Sequence, residues 1–272
     1  MSGAPASRVV VALDAPSFGD LAIEVAREIA KSPTLELLGI FVEDARLLEH
    51  ARAPLAREIA VSGRARPLDE SRLERALRAQ ATLARGIFEE AATRAGLRHT
   101  FQVARGALID ELLRAAADAE AVIVALGRRD GARAGGLAAL ARARLRALLF
   151  TRENEQTAGA ILAVVEAGGT GGEPLRVAAR LAQRARLPLR VLLEAGPRAE
   201  DVVRAQIAAL HRGGIAIELL PPAAELTPDT IARHARDTRL SIVPARGAPR
   251  DAPQIEHLRA KTRAALLLIR EE

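Results

Sequence analysis

Val9-Val-Val-Ala-Leu-Asp14 and, further along, Ile161-Leu-Ala-Val-Val-Glu166 decide the fold between them. Each is a short aliphatic run that ends in a carboxylate, passes through a turn of small residues and enters an amphipathic stretch. A run that is apolar at every position reads as a strand buried on both faces, as in a parallel sheet under helices. Its return in the same order marks an internal duplication. Outward from these stretches the chain reads as an α/β protein with two tandem, doubly wound, mostly parallel five-stranded sheets, linked by right-handed crossovers. The boundary is placed at the polar stretch 152–157. It divides residues 1–152 from a shorter, more diverged unit, 153–272.

In the first unit the strands are expected at 8–13, 35–42, 100–104, 121–126 and 147–151. Asp69 or Ser71 caps a long helix closed by Gly96. In the second unit strands are expected at 160–165, 189–193, 215–219, 240–243 and 264–269, with Pro174 and Pro228 in first helical turns, where a missing N–H does no harm. The least regular stretch is 43–67, whose Leu47, Leu48, Leu55 and Ile59 read as short helical pieces. Its role stays open between a lid and a docking surface.

Composition narrows the function. The chain has 272 residues, enough for two modest domains, and no Trp, no Tyr and five Phe. Its cores must therefore be aliphatic, and base-stacking platforms of the single-strand type have no aromatics to use. Without cysteine there are no disulfides or thiolate metal sites. The first eight residues carry no apolar signal core and no run approaches membrane-spanning length, so a cytoplasmic protein without membrane partners is expected. The net charge of +6 comes from arginines spread along helices among Ala and Glu, not from one basic face, so nucleic acid is not the expected partner.

The order of these elements carries a resemblance. The run Val9–Asp14 with its small-residue turn, Phe41-Val-Glu-Asp44 after the second strand, and Val122-Ile-Val-Ala-Leu-Gly127 before a glycine loop resemble a tandem universal stress protein, with two such domains in one polypeptide. The resemblance implies that the two units pack by their fifth strands as an intramolecular pseudo-dimer, with a homodimer also open. Leu148–Phe150 and Leu266–Ile269 would then cover each other's apolar edges.

Nucleotide-binding members of that family carry, after the fourth strand, two glycines separated by two residues and a third glycine nine residues on, followed by Ser or Thr. Backbone N–H groups at a helix start and a small hydroxyl then surround phosphate oxygens. Here the loop is Gly127-Arg-Arg-Asp130-Gly131-Ala-Arg-Ala-Gly135-Gly136. Asp130 stands where the second glycine belongs, Gly131 comes one step late, and no hydroxyl follows the last glycine. The loop is about five residues short of the family spacing, and a carboxylate near phosphate repels it. Arg128, Arg129 and Arg133 offer another way to hold an anion.

By the resemblance, the candidate nucleotide positions are Asp14, Phe41, Val42, Gly127, Arg128, Gly131, Gly135 and Gly136. Asp14 equally reads as an Asx turn ending its strand. In the second unit Glu166 replaces the Asp, no closing glycine pair follows the fourth strand, and Gly168-Gly-Thr-Gly-Gly172 reads as a turn.

None of the five histidines has paired ligand spacing, and neither Ser62 nor Ser241 sits in a nucleophile-elbow motif. The expectation is a non-enzymatic stress-response protein without a cofactor or metal, acting through a protein partner or small ligand with a degenerate ATP loop. The alternative is an adenine-nucleotide sensor or slow ATPase in the first unit. A second rival is polyanion binding by the helix expected at 137–146, through Arg142, Arg144 and Arg146.

Overall fold

The structure is a computed structural model that describes residues 7–13, 20–30, 34–53, 57–59, 63–126, 145–152, 158–167, 172–196, 203–208, 210, 214–245 and 252–270. The first half contains β1 (Ser7–Leu13), α1 (Asp20–Ile29), β2 (Leu35–Asp44), α2 (Ala45–Ala51), β3 (Arg57–Ile59), β4 (Ala65–Pro67), α3 (Glu70–Arg94), β5 (Arg98–Gly106), α4 (Leu108–Ala115), β6 (Ala121–Leu126) and β7 (Ala147–Arg152). The second half contains β8 (Ala160–Val165), α5 (Gly172–Ala185), β9 (Leu189–Leu193), β10 (Ile217–Leu219), α6 (Pro228–His234), β11 (Thr238–Pro244), α7 (Ala252–Lys261) and β12 (Ala265–Ile269). Residues 203–208 are also helical.

Ten strands form one sheet in the order β10-β9-β8-β11-β12-β7-β6-β1-β2-β5. Each half contributes five parallel strands in the same internal order, its first strand lying between its second and its fourth. The halves meet where β7 and β12 run antiparallel, Leu149 opposite Leu267. The two five-stranded units expected from the repeat are thus fused through their last strands. Leu148, Leu149, Phe150, Leu266, Leu267 and Leu268 are each no more than 4% exposed there. Removing one such side chain from water contributes about 1.5–3 kcal/mol, and pairing also removes two exposed apolar edges.

Helices cover both faces. One core packs α1, α3 and α5 against Val9, Val11, Leu37, Ile161, Ala163 and Leu267. The other packs α4, α6 and α7 against Val10, Val122, Leu148, Leu162 and Leu268. Local chemistry sets the helix ends: Asp69 accepts from the N–H groups of Ser71 and Arg72, Gly96 closes α3 with φ +65°, and Thr227 caps α6 ahead of Pro228.

The stretch 43–67 differs from expectation. Ala45–Ala51 is helical, with Leu48 buried, but Arg57–Ile59 and Ala65–Pro67 form an antiparallel hairpin. Gly63, at φ +78°, lies between the two strands. Leu47 and Ile59 are 42% and 78% exposed, so they build no apolar helix face. Leu55 lies outside the described residues, as does most of the stretch 152–157 placed at the boundary.

Candidate functional site

In an open α/β sheet ligands bind beyond the carboxyl ends of the strands, where the strand order reverses. The sheet has two such points, between β1 and β6 and between β8 and β11. Of the sequence-derived candidates, Asp14, Gly127, Arg128, Gly131, Gly135 and Gly136 lie outside the described residues. Phe41 and Val42 lie near the carboxyl end of β2, next to β1 on the side away from β6.

β1 pairs with β2 as far as Ala12 opposite Ile40. Beyond that, Phe41, Val42, Glu43 and Asp44 continue β2 past its pairing with β1, and among the described residues their strand pairing is to β5. Phe41 itself is buried in the core shared with α1 and α3, and Val42 packs against the opposite core. The Phe41 side chain is withheld from a ligand, and that of Val42 is partly buried. Asp44 is engaged as the cap of α2, accepting from the Arg46 N–H at 3.0 Å.

Glu43, buried at 8% exposure, accepts two bonds from the Arg105 guanidinium at 2.9 and 3.0 Å. The two residues stand opposite each other in the β2–β5 register. With Glu74, Leu77 and Arg78 they line a cleft of about 140 Å³. Glu74 and Arg78 also pair, at 3.6 Å, so the carboxylates and guanidiniums of the cleft neutralise each other. Sequence spacing gave no sign of the Glu43–Arg105 pair, because its members lie 62 residues apart.

The described strand ends on either side of the second crevice are bonded within the chain. The Ala167 N–H donates to Glu194 Oε2 at 3.0 Å, and the Ala195 N–H to the Ala223 carbonyl at 2.7 Å. The Ala245 N–H, just after β11, donates to the Ile269 carbonyl at 2.6 Å. Gly196 passes so close that an added Cβ would lie 3.0 Å from Ala167. Among the described residues, the amides of Ala167, Ala195 and Ala245 are satisfied internally, and the Glu194 carboxylate stands just after β9.

Arg146, read from sequence with Arg142 and Arg144 as a polyanion contact, is committed elsewhere. It donates to the Ile29 carbonyl at 2.7 Å and to Glu173 at 2.6 Å, its side chain only 19% exposed. Arg142 and Arg144 lie outside the described residues. On α6 and α7, His257 donates to Asp229 at 2.9 Å, with Lys261 3.6 Å from the same oxygen. The His257 hydrogen bond leads the influences that hold the Asp229 carboxyl below its usual range. Among the described residues no group of three His, Asp or Glu is placed to hold a metal ion, and no helix is long and apolar enough to cross a membrane.

Two crevices in one sheet, repeated halves and terminal-strand pairing can be set beside solved structures. A universal stress protein from Archaeoglobus fulgidus superposes with a TM-score of 0.58, covering 97% of this chain and 96% of its own, at 12% identity. The chain has the universal stress protein fold. A functionally unknown protein from Pseudomonas aeruginosa PAO1 matches with TM-score 0.56, 17% identity and 97% and 92% coverage. A candidate universal stress protein from Pseudomonas aeruginosa UCBPP-PA14 matches with TM-score 0.54, 18% identity and the same coverages. No family model and no curated protein matches the sequence. Coverage near the full length of both partners means that the universal stress protein fold here is the tandem arrangement, and identities this low speak for fold alone.

Proposed function

We propose that the protein is a non-enzymatic, cytoplasmic universal stress protein that acts through recognition of a protein partner or small ligand, with its nucleotide site degenerate. The observation that carries the reading is the internal bonding of the strand ends that flank the second crevice. There the amides of Ala167, Ala195 and Ala245 are bonded within the chain, and Glu194 would repel a phosphate. In the first half the sequence supports the same reading. Seven residues separate Gly127 from Gly135, too few for the family's turn around a triphosphate, and Asp130 adds an unfavourable charge.

The second reading is adenine-nucleotide sensing, or slow ATP hydrolysis, in the first half. It is favoured by the overrun of β2, which carries main-chain groups of Phe41–Asp44 past the pairing with β1. Equilibrium dialysis of the intact chain against labelled ATP separates the two. The expected result is no retention at millimolar nucleotide. Stoichiometric retention that is lost in Asp14→Ala would replace the first reading with the second.

A further inference from the structure

The two halves are related by a dyad that can be located residue by residue. Val9 pairs with Ala121, which pairs with Ala147; Ile161 pairs with Leu240, which pairs with Ala265. Ala147 and Ala265 are therefore equivalent strand starts, and so are Leu149 and Leu267, which stand opposite each other. The dyad passes between them. On the helical layer above, α1 starts at Asp20 and α5 at Gly172, the same separation as Val9 and Ile161. Glu28 on α1 is thus the counterpart of Arg180 on α5.

These two counterparts meet. Arg180 Nη1 lies 2.8 Å from Glu28 Oε1, and Arg184 Nη1 lies 3.5 Å from the other oxygen, Oε2. The Glu28 side chain is 1% exposed. In a dimer of identical halves a residue at the dyad faces its own copy; here the two copies of one position carry opposite charges. Glu24 repeats the pattern, 3.9 Å from Arg239. Its counterpart is Arg176, and the counterpart of Arg239, just before Leu240, is Glu120, just before Ala121. A third pair, Arg146–Glu173 at 2.6 Å, has the uncharged counterparts Ala264 and Leu21.

Two first halves placed across this dyad would set Glu28 against Glu28 and Glu24 against Glu120. Two second halves would set Arg180 against Arg180 and Arg176 against Arg239. Either arrangement loses every cross-seam pair named above and gains like-charge contacts; between two first halves the Glu28 contact is desolvated, which is the expensive case. The shared features, an apolar last strand and a helix beside it, would by themselves let like halves associate.

We propose that the α1–α5 seam is a heterotypic recognition surface. Its charges specify that a first half takes a second half as partner and rejects its own kind, so the chain closes on itself rather than linking to others through like halves. The apolar strands β7 and β12 supply attraction without choice, and the charges supply the choice. This holds whatever either crevice binds.

The test is a charge-exchange cycle on the full chain, read by thermal unfolding and by light-scattering mass. The variants are Glu28→Arg, Arg180→Glu with Arg184→Glu, and all three together, with Arg190→Glu as a control reversal in the outer pair with Glu218. Each one-sided reversal is expected to lower Tm by several degrees and to broaden the mass distribution. The triple exchange is expected to regain most of that loss as a single species, while the control shifts little. If Glu28→Arg does not accumulate as soluble protein, the comparison runs between the Arg180→Glu, Arg184→Glu chain and the triple. Those arginines are half exposed, at 53% and 55%, and tolerate exchange locally. A triple exchange no more stable than its less stable parent overturns the proposal, and so do one-sided reversals that leave Tm and mass unchanged.

Discussion

The two halves of this molecule share a strand order and part company in their side chains. In the first half, Gly39 of β2 leaves room for two aromatic rings: a Cβ there would lie 2.8 Å from Phe101 and 2.9 Å from Phe88. Phe88 packs edge-on to His99 with ring centroids 6.0 Å apart, and Arg85 lies over Phe101 at 4.9 Å. The equivalent of Gly39 in the second half is Val191, which follows from the registers of β1–β2 and β8–β9. The second-half core beneath it is aliphatic, with Leu189, Leu193, Val203 and Ile207. One scaffold is therefore filled in two ways, and the same divergence appears at the strand ends, where β2 overruns its pairing with β1 and β9 is followed by Glu194 bonded to Ala167. What a repeated α/β unit requires is its strand order and apolar runs; the contents of its core and of its strand ends can change independently.

The aromatic filling predicts where stability concentrates. Phe88→Ala is expected to cost about 3–5 kcal/mol, because the side chain is wholly buried and its neighbours cannot close the space. Denaturant unfolding measures the loss, and hydrogen exchange locates it. Amides of α3 and β5 should lose protection before those of β8 and β9; equal loss in both halves would mean that the ten-stranded sheet opens as one unit.

A smaller effect comes from the opposite change at the same place. Gly39→Ala forces a methyl group into the two rings, and a destabilisation of about 1–3 kcal/mol is expected from overpacking. A variant as stable as the parent would show that the rings can shift, and the contrast between the two cores would lose its steric basis.

The smallest prediction concerns acid. Burial, with Arg233 and Arg190 nearby, holds the His234 imidazole below its ordinary value of 6.5. The folded state therefore resists a proton that the unfolded chain accepts. Stability from this group is fully present above pH 6.5 and declines as pH falls through the lowered folded value. His234→Gln should flatten that limb of the stability–pH curve by less than one proton, which is less than about 1.4 kcal/mol per pH unit. An unchanged slope would place the acid sensitivity elsewhere, with Asp229 next to examine. That carboxyl lies below its usual range, so its contribution is lost only as pH falls through the lowered value.

Much of the fold was legible because a buried parallel strand announces itself locally. Val9–Leu13, Ala160–Val165 and Ala265–Ile269 are apolar at every residue, and the cap at Asp69 and the proline at Pro228 mark helix starts. The hairpin at 57–67 was not legible, since three-residue strands leave too short an alternation to tell from one helical turn. Of the candidate site, Phe41 and Val42 fall among the described residues on β2, and their side chains pack against the two cores. The pairs Glu43–Arg105 and Glu28–Arg180 had no local signature at all, being 62 and 152 residues apart.

The amino-acid sequence alone determined the repeat, the α/β class and the aliphatic character of the sheet, because strand burial and helix capping are written in neighbouring residues. Only the tertiary structure decided which charges meet across the dyad and which strand-end amides the chain satisfies itself. Those outcomes depend on distances between residues far apart in the chain, and on desolvation that exists only once both halves are packed.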